Sequence, residues 1–280
     1  MKQSNLELFP DEATPKRRKR KSPDGVSTTE LTFSSYVGEN AELFRKILHL
    51  FVPLGSKVAD VTFGLGSFWR KVPQDEYQLF ATDQKTGVDF RSLPYQDGSM
   101  DALVLDPPYM EGLFRADEST AGNGTHSAFQ TSYSNSERPS GLDEKWHDAV
   151  VQLYVQGSVE AKRVLKPKGG IFIVKCQDEV SACIQRLTHV ELILNFLVAG
   201  FYPRDLFVLT RSNKPGVSRT KKQLHARKNH SYFLVFETGA TPSRLNCLKV
   251  FGTNPLALAL QQVHLERKRG RSDKVIAKAI

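Results

Sequence analysis

The apolar run Ala102-Leu103-Val104-Leu105 is cut off by Asp106-Pro107-Pro108-Tyr109. Its shortness and lack of polar residues read as a buried strand. Two consecutive prolines cannot continue that strand, because each lacks a backbone donor and fixes φ. A carboxylate, a rigid turn and an aromatic ring therefore stand together at the carboxyl end of a strand. In open α/β sheets that end is where ligands bind. The group is suited to hold a flat molecule that carries an amino group.

The rest of the chain alternates in the same way. Apolar residues Leu43, Phe44, Ile47, Leu48 and Phe51 recur at helical spacing over 39–51, and Pro53 and Gly55 end that helix. Short strands are expected at 57–62, 78–82, 101–105, 171–175, 204–210 and 231–236. Further helices are expected at 146–165 and 180–198, closed by Gly169-Gly170 and Gly200. Strands alternating with helices imply a mostly parallel sheet with helices on both faces. The last two strands lack an intervening helix and predict an antiparallel hairpin at one edge. Order is expected to begin near residues 31–36. Residues 1–30 are expected to be a disordered basic tail, 31–239 the folded domain, and 240–280 a basic C-terminal tail with a helix near 256–267. The polar stretch 110–142, rich in Gly, Ser, Thr and Asn, is expected to be a functional insert, a lid or a target-recognition loop.

A glycine turn follows the strand at 57–62, in Asp60-Val61-Thr62-Phe63-Gly64-Leu65-Gly66-Ser67. Gly64 and Gly66 allow a tight turn and close approach of a ligand to the backbone. The third glycine of a dinucleotide fingerprint is absent, since Trp69 stands in its place, and no Gly-Lys-Ser/Thr follows. Asp83 closes the next strand, where a carboxylate can accept both hydroxyls of a ribose. A nucleoside ligand fits this pattern better than a dinucleotide, and S-adenosylmethionine is the expected cofactor. In that reading Asp60 and Thr62 line the methionine end. Asp60 accepts from the ammonium, directly or through water. Asp89 accepts from the adenine amino group or is only a turn acid, and Phe90 packs on the ring.

Methyl transfer to an exocyclic amine must overcome delocalisation of the nitrogen lone pair into the ring. Asp106 and the carbonyl of Pro107 can accept both amino protons, in bonds that strengthen as positive charge develops on nitrogen. Asp106 can also receive the departing proton. Pro108 keeps the turn rigid, and Tyr109 offers a face on which a flipped-out base can stack.

Asp60 to Ser67 together with Asp106 to Tyr109 resembles the S-adenosylmethionine-dependent amino-methyltransferases that act on adenine N6 or cytosine N4 of DNA. That family commonly has Asp-Pro-Phe-x-Gly-x-Gly-Thr as its cofactor motif and Asp/Asn/Ser-Pro-Pro-Tyr/Phe/Trp as its catalytic motif. The resemblance covers about residues 36–236 and implies a Rossmann-like methyltransferase sheet. Val61 and Thr62 depart from the family's Pro and Phe. The order of the motifs implies that residues 33–38 touch the methionine carboxylate, and the Asp at position 106 points to adenine N6 over cytosine N4. Methylation of an RNA base such as guanine N2 is the nearest rival, and a nucleic-acid-binding protein with a vestigial site is another.

A net charge of +9 fits a polyanionic partner. DNA is the expected partner, with RNA as the alternative. Phosphate contact is expected from the basic stretch that includes Arg211, Lys214, Arg219, Lys221, Lys222, Arg227 and Lys228. Arg115, His126, Phe129, Tyr133 and Arg138 of the insert are further candidates for contact with phosphates or bases. The run Lys16-Arg17-Arg18-Lys19-Arg20-Lys21 is expected to be an import signal, an electrostatic arm or a solubilising tail. Three cysteines without paired spacing predict reduced thiols, and no metal site is expected; His225 and His230 read as structural or phosphate-facing. No apolar run reaches membrane-spanning length and the N-terminus is polar, so a cytoplasmic, nucleoid-associated protein is expected, or a nuclear one in a eukaryote.

Overall fold

The computed structural model describes residues 31–109, 147–181, 183–211 and 223–239. Two expected tails, 1–30 and 240–280, lie outside these residues. So do the insert 110–142 with its five candidate contact residues, and Lys214, Arg219, Lys221 and Lys222.

Among the described residues, nine strands and three α-helices run in the order β1 (Ser35–Val37), α1 (Asn40–Phe51), β2 (Lys57–Asp60), β3 (Gln78–Ala81), β4 (Ala102–Leu105), α2 (His147–Val164), β5 (Ile171–Cys176), β6 (Glu179–Ser181), β7 (Ile184–Arg186), α3 (Thr188–Val198), β8 (Phe201–Thr210) and β9 (His230–Thr238). Seven strands make one sheet in the order β1-β8-β9-β5-β4-β2-β3, and β6 and β7 form a separate hairpin. All neighbours in the large sheet are parallel except at β9, which runs antiparallel to both β5 and β8. This is the expected Rossmann-like architecture. The hairpin of the last two strands is present, but β9 lies inside the sheet and β1 takes the outer edge of β8.

Strand β4 owes its central place to a lack of polar residues on either face. Every residue of β4 is buried, as parallel packing between helix layers requires. Ala102 and Val104 face the cluster built on Leu43, Phe44, Ile47 and Leu48 of α1. Leu103 and Leu105 face the opposite cluster, with Val150, Leu153, Tyr154 and Val164 of α2 and Leu192 and Phe196 of α3. The alternation within four residues thus serves two layers at once. Gly157 lets α2 press onto the carboxyl end of β4, because a Cβ there would lie 2.9 Å from Leu105 Cδ2.

Residues 180–198 do not form the single helix expected. Val180, Ile184, Leu187 and Glu191 recur at three- and four-residue steps, which imitates helical period. The chain instead turns back as the β6–β7 hairpin, with Cys183 at φ 62°, and α3 starts only at Thr188. Strand β8 begins three residues before the expected start, and its register shifts between Pro203 and Asp205. A bulge of this kind is where a strand tolerates proline.

Candidate active site

The carboxyl ends of β2, β3, β4 and β5 bring the two motifs together. Beyond β2 the chain turns through Gly64 and Gly66, with φ of 55° and 65°. These lie in the left-handed region that favours glycine. At Gly66 a Cβ would also fall 2.7 Å from the Phe63 ring, so the turn is closed by an aromatic packed where no side chain fits.

Asp60 is buried beneath this turn. One carboxylate oxygen accepts from the backbone N–H of Thr62 at 3.1 Å, and the other from Trp69 Nε1 at 2.7 Å. Burial pushes its carboxyl up to about 7, against the lowering by those two donors and with a further push from Asp106 and Asp83. The residue expected to meet a ligand ammonium thus already has a protein donor on each oxygen. Trp69, which sequence reasoning treated only as a missing glycine, is one of them. Thr62 is buried too, and its Oγ1 accepts from the backbone N–H of Asp106 at 2.7 Å. This single bond fastens the glycine turn to the Asp-Pro-Pro-Tyr turn.

Asp83 follows β3 and is also buried. Its Oδ2 accepts from the N–H of Gly64 at 3.0 Å, and its Oδ1 from the N–H of Thr86 at 3.0 Å. Thr86 Oγ1 lies 2.9 Å from the Asp83 N–H and completes a capping box on the short 3-10 turn Gln84–Thr86. Each oxygen retains a lone pair for an outside donor. Asp89 and Phe90 each already have partners within the protein, and Asp89 takes the place of a turn acid. Arg91 grips both Asp89 oxygens, with Nη2 at 2.6 Å from Oδ2, and Phe90 packs into the core near Gly157. The arginine two residues on supplies the acid with a local partner, and an aromatic beside an apolar helix face is drawn to the core.

At the end of β4, Asp106 is half-buried, and Pro107 and Pro108 are buried. The Tyr109 hydroxyl donates to Asp106 Oδ1 at 2.5 Å, which leaves Oδ2 as the freer acceptor. Burial pushes the Asp106 carboxyl up, while the Tyr109 hydrogen bond and the charges of Lys175 and Arg211 pull it back. Lys175 was not among the expected site residues. It stands fully buried in β5, and a lysine within the otherwise apolar run Ile171–Cys176 was the available signal.

Arg211 ends β8 on the same side of the sheet, since β8 and β5 both run antiparallel to β9. It is exposed, as is Arg227, while Lys228 is half-buried. These basic residues thus border the edge that carries Asp106. His225 lies 3.1 Å from the Cys183 carbonyl through Nε2, and His230 lies 2.9 Å from the Tyr232 hydroxyl. Among the described residues no group of three His, Cys, Asp or Glu side chains is placed to hold a metal, and no helix is long and apolar enough to cross a membrane.

No family model and no curated protein matches the chain. Solved structures similar to it include a SAM-dependent methyltransferase of Methanosarcina mazei, with 11% identity over 69% of this chain and 96% of that one, at a TM-score of 0.37. A Burkholderia thailandensis 1,6-didemethyltoxoflavin-N1-methyltransferase, solved with S-adenosylhomocysteine, shows 14% identity over 71% and 78% at 0.40. The cytosine-N4-specific PvuII DNA methyltransferase shows 14% identity over 51% and 44% at 0.34. What the site can do follows from its own residues.

Proposed function

We propose that the protein is an S-adenosylmethionine-dependent methyltransferase acting on the exocyclic amino group of a nucleobase, adenine N6 of DNA first. The observation that carries this reading is the bond from Asp106 N–H to Thr62 Oγ1. It sets an amine-accepting turn directly beside a glycine turn whose downstream acid, Asp83, suits a ribose. The site residues fit the cofactor by their donor set. Asp83 keeps acceptor capacity for two hydroxyls, and the glycine turn presents backbone without side chains. S-adenosylmethionine supplies the electrophilic methyl group.

The chain's own residues do the rest. Asp106 Oδ2 accepts one amino proton and the Pro107 carbonyl the other. Both bonds strengthen as the nitrogen becomes positive, which lowers the barrier. One of the two amino protons then leaves the methylated nitrogen for Asp106, and the neutral methylamino base departs. Tyr109 orients the carboxylate through its hydroxyl and offers its ring to the base. Arg211, Arg227 and Lys228 border the same edge and suit contact with a phosphate backbone.

The test is methyl transfer from tritiated cofactor to DNA and RNA pools, with mass spectrometry of the digested nucleosides. N6-methyladenosine in its deoxy form is the expected product. Label in N2-methylguanosine of RNA would replace the DNA reading, and no label in either polymer would overturn it.

A further inference from the structure

Lys175 is fully buried, yet no salt-bridge partner lies against its ammonium among the described residues. Its Nζ donates to Ser231 Oγ at 2.5 Å and lies 4.2 Å from the centre of the Phe233 ring. Both partners are neutral. A hydroxyl and an aromatic face offset only part of the cost of taking an ammonium out of water, which is several kcal/mol. Such a charge in the middle of a sheet calls for a reason.

The strand register supplies one. Leu105 of β4 pairs with Val174 of β5 in parallel. The next pair is therefore Asp106 beside Lys175. Both fall on the face that Val104 and Ile173 share, because side chains alternate along a strand. Neighbouring strands lie about 4.8 Å apart.

We propose that Lys175 is the positioning residue for Asp106: its buried ammonium, one strand over on the same face, keeps that carboxylate an ionised hydrogen-bond acceptor. The inference rests on the reading of Asp106 as the amine-binding group, and it gives that reading a specificity. An ionised carboxylate accepts from an amino group and repels a ring carbonyl, whereas a protonated one can donate to the carbonyl. The ammonium thus favours bases with an exocyclic amine over thymine or uracil.

The other titratable groups around the pair sharpen the need for it. Asp60 on β2 and the buried thiol of Cys176 offer no positive charge. Tyr109 and Tyr154 are phenols whose burial pushes them well up, so they stay neutral. Arg211 on β8 is the second cation that favours an ionised Asp106, and it is exposed, where solvent screens it. Burial pulls Lys175 down from its usual range, and Asp106 holds it up in return.

The experiment follows the carboxyl carbons of protein labelled with carbon-13 aspartate as pH is varied, with Asp106 identified by the signal missing in Asp106→Asn. In Lys175→Met, Asp106 should titrate about one unit or more above its wild-type midpoint, as the loss of a close opposite charge implies. An unchanged midpoint in the folded variant overturns the proposal. Should Lys175→Met fail to fold, Lys175→Gln removes the charge, keeps a donor for Ser231 Oγ and carries the same test. A shift in the same direction is expected, and no shift overturns the proposal. Activity is read separately: the acid limb of the rate profile should move with the Asp106 midpoint. A shifted midpoint without methyl transfer to any nucleic acid would leave the Lys175 assignment standing and remove the proposed function.

Discussion

At the scale of single residues, the site divides into groups that hold the scaffold and groups left free to act. Asp60 holds the scaffold through Trp69 and Thr62 and, like Asp83, keeps a lone pair on each oxygen. Asp106 belongs to the second, with one oxygen on Tyr109 and the other open among the described residues. Asp106→Ala should lower the rate of methyl transfer by roughly 10²–10⁴-fold, the usual range for a lost acid–base or charge-stabilising group, while calorimetry shows cofactor affinity nearly intact. Retained turnover would remove Asp106 from the mechanism. Asp83→Ala should weaken S-adenosylmethionine binding roughly tenfold or more, since hydrogen bonds to a charged group contribute about 1.5–3 kcal/mol. Unchanged affinity in calorimetry would remove the ribose role. The placement of Asp83, Asp106 and the two glycines just beyond strand ends was legible in the sequence, because a short apolar run followed by Gly, Asp or Pro marks where a strand stops. The sequence hid the tie from Thr62 to Asp106, 44 residues apart, because no local pattern encodes which hydroxyl meets which amide. Lys175 was hidden for the same reason, since its neighbour is set by register between strands.

At the scale of elements, the beginning of α2 is fixed by charge. The buried ring of His147 lies 2.7 Å from Glu179 through Nδ1 and 3.0 Å from Glu191 through Nε2. Both nitrogens face carboxylates, so the imidazolium is favoured; burial opposes the charge, and the two glutamates outweigh it to raise the pKa. A raised value means that this clamp stabilises fully below the unfolded pKa of about 6.5 and fades as pH rises through the folded value. His147→Ala should lower the melting temperature at pH 6 by more than at pH 9, and equal losses at both would sink the clamp. Breaking the buried pair with Glu179 corresponds to about 3 kcal/mol or more at the lower pH. Such a joint of α2, β6 and α3 explains why sequence alone misread 180–198. The four- and three-residue steps of Val180, Ile184 and Leu187 satisfied a helix, whereas the tertiary demand to bring Glu179 onto His147 favours the hairpin. Elements with a strong local pattern fared better. The apolar stripe of α1 and the unbroken β4 were legible because one period accounts for all of their buried residues.

At the scale of the whole molecule, the positive charge of the sequence gathers in the run 16–21, in the stretch 211–228 and in the stretch 267–278. Deleting residues 1–24 should reduce the salt dependence of nucleic-acid binding, by about 0.9 in slope for each phosphate of duplex DNA that the shortened chain no longer neutralises, without changing the methylated base. An unchanged slope in filter binding across a salt series would assign that arm to import or solubility. The order of the sheet bears on how the molecule keeps to itself. β8 is ten residues long, and among the described residues only β1 pairs with its side away from β9, at Val208 to Thr210; an unpaired strand edge offers amides and carbonyls to a passing strand. Ser35, Tyr36 and Val37 occupy the end of that side nearest Arg211, and the register shift at Pro203 interrupts the regular ladder further back. Three residues ahead of the first helix therefore close one end of that edge, and a chain begun after them would leave Val208 to Thr210 open to a neighbour's strand.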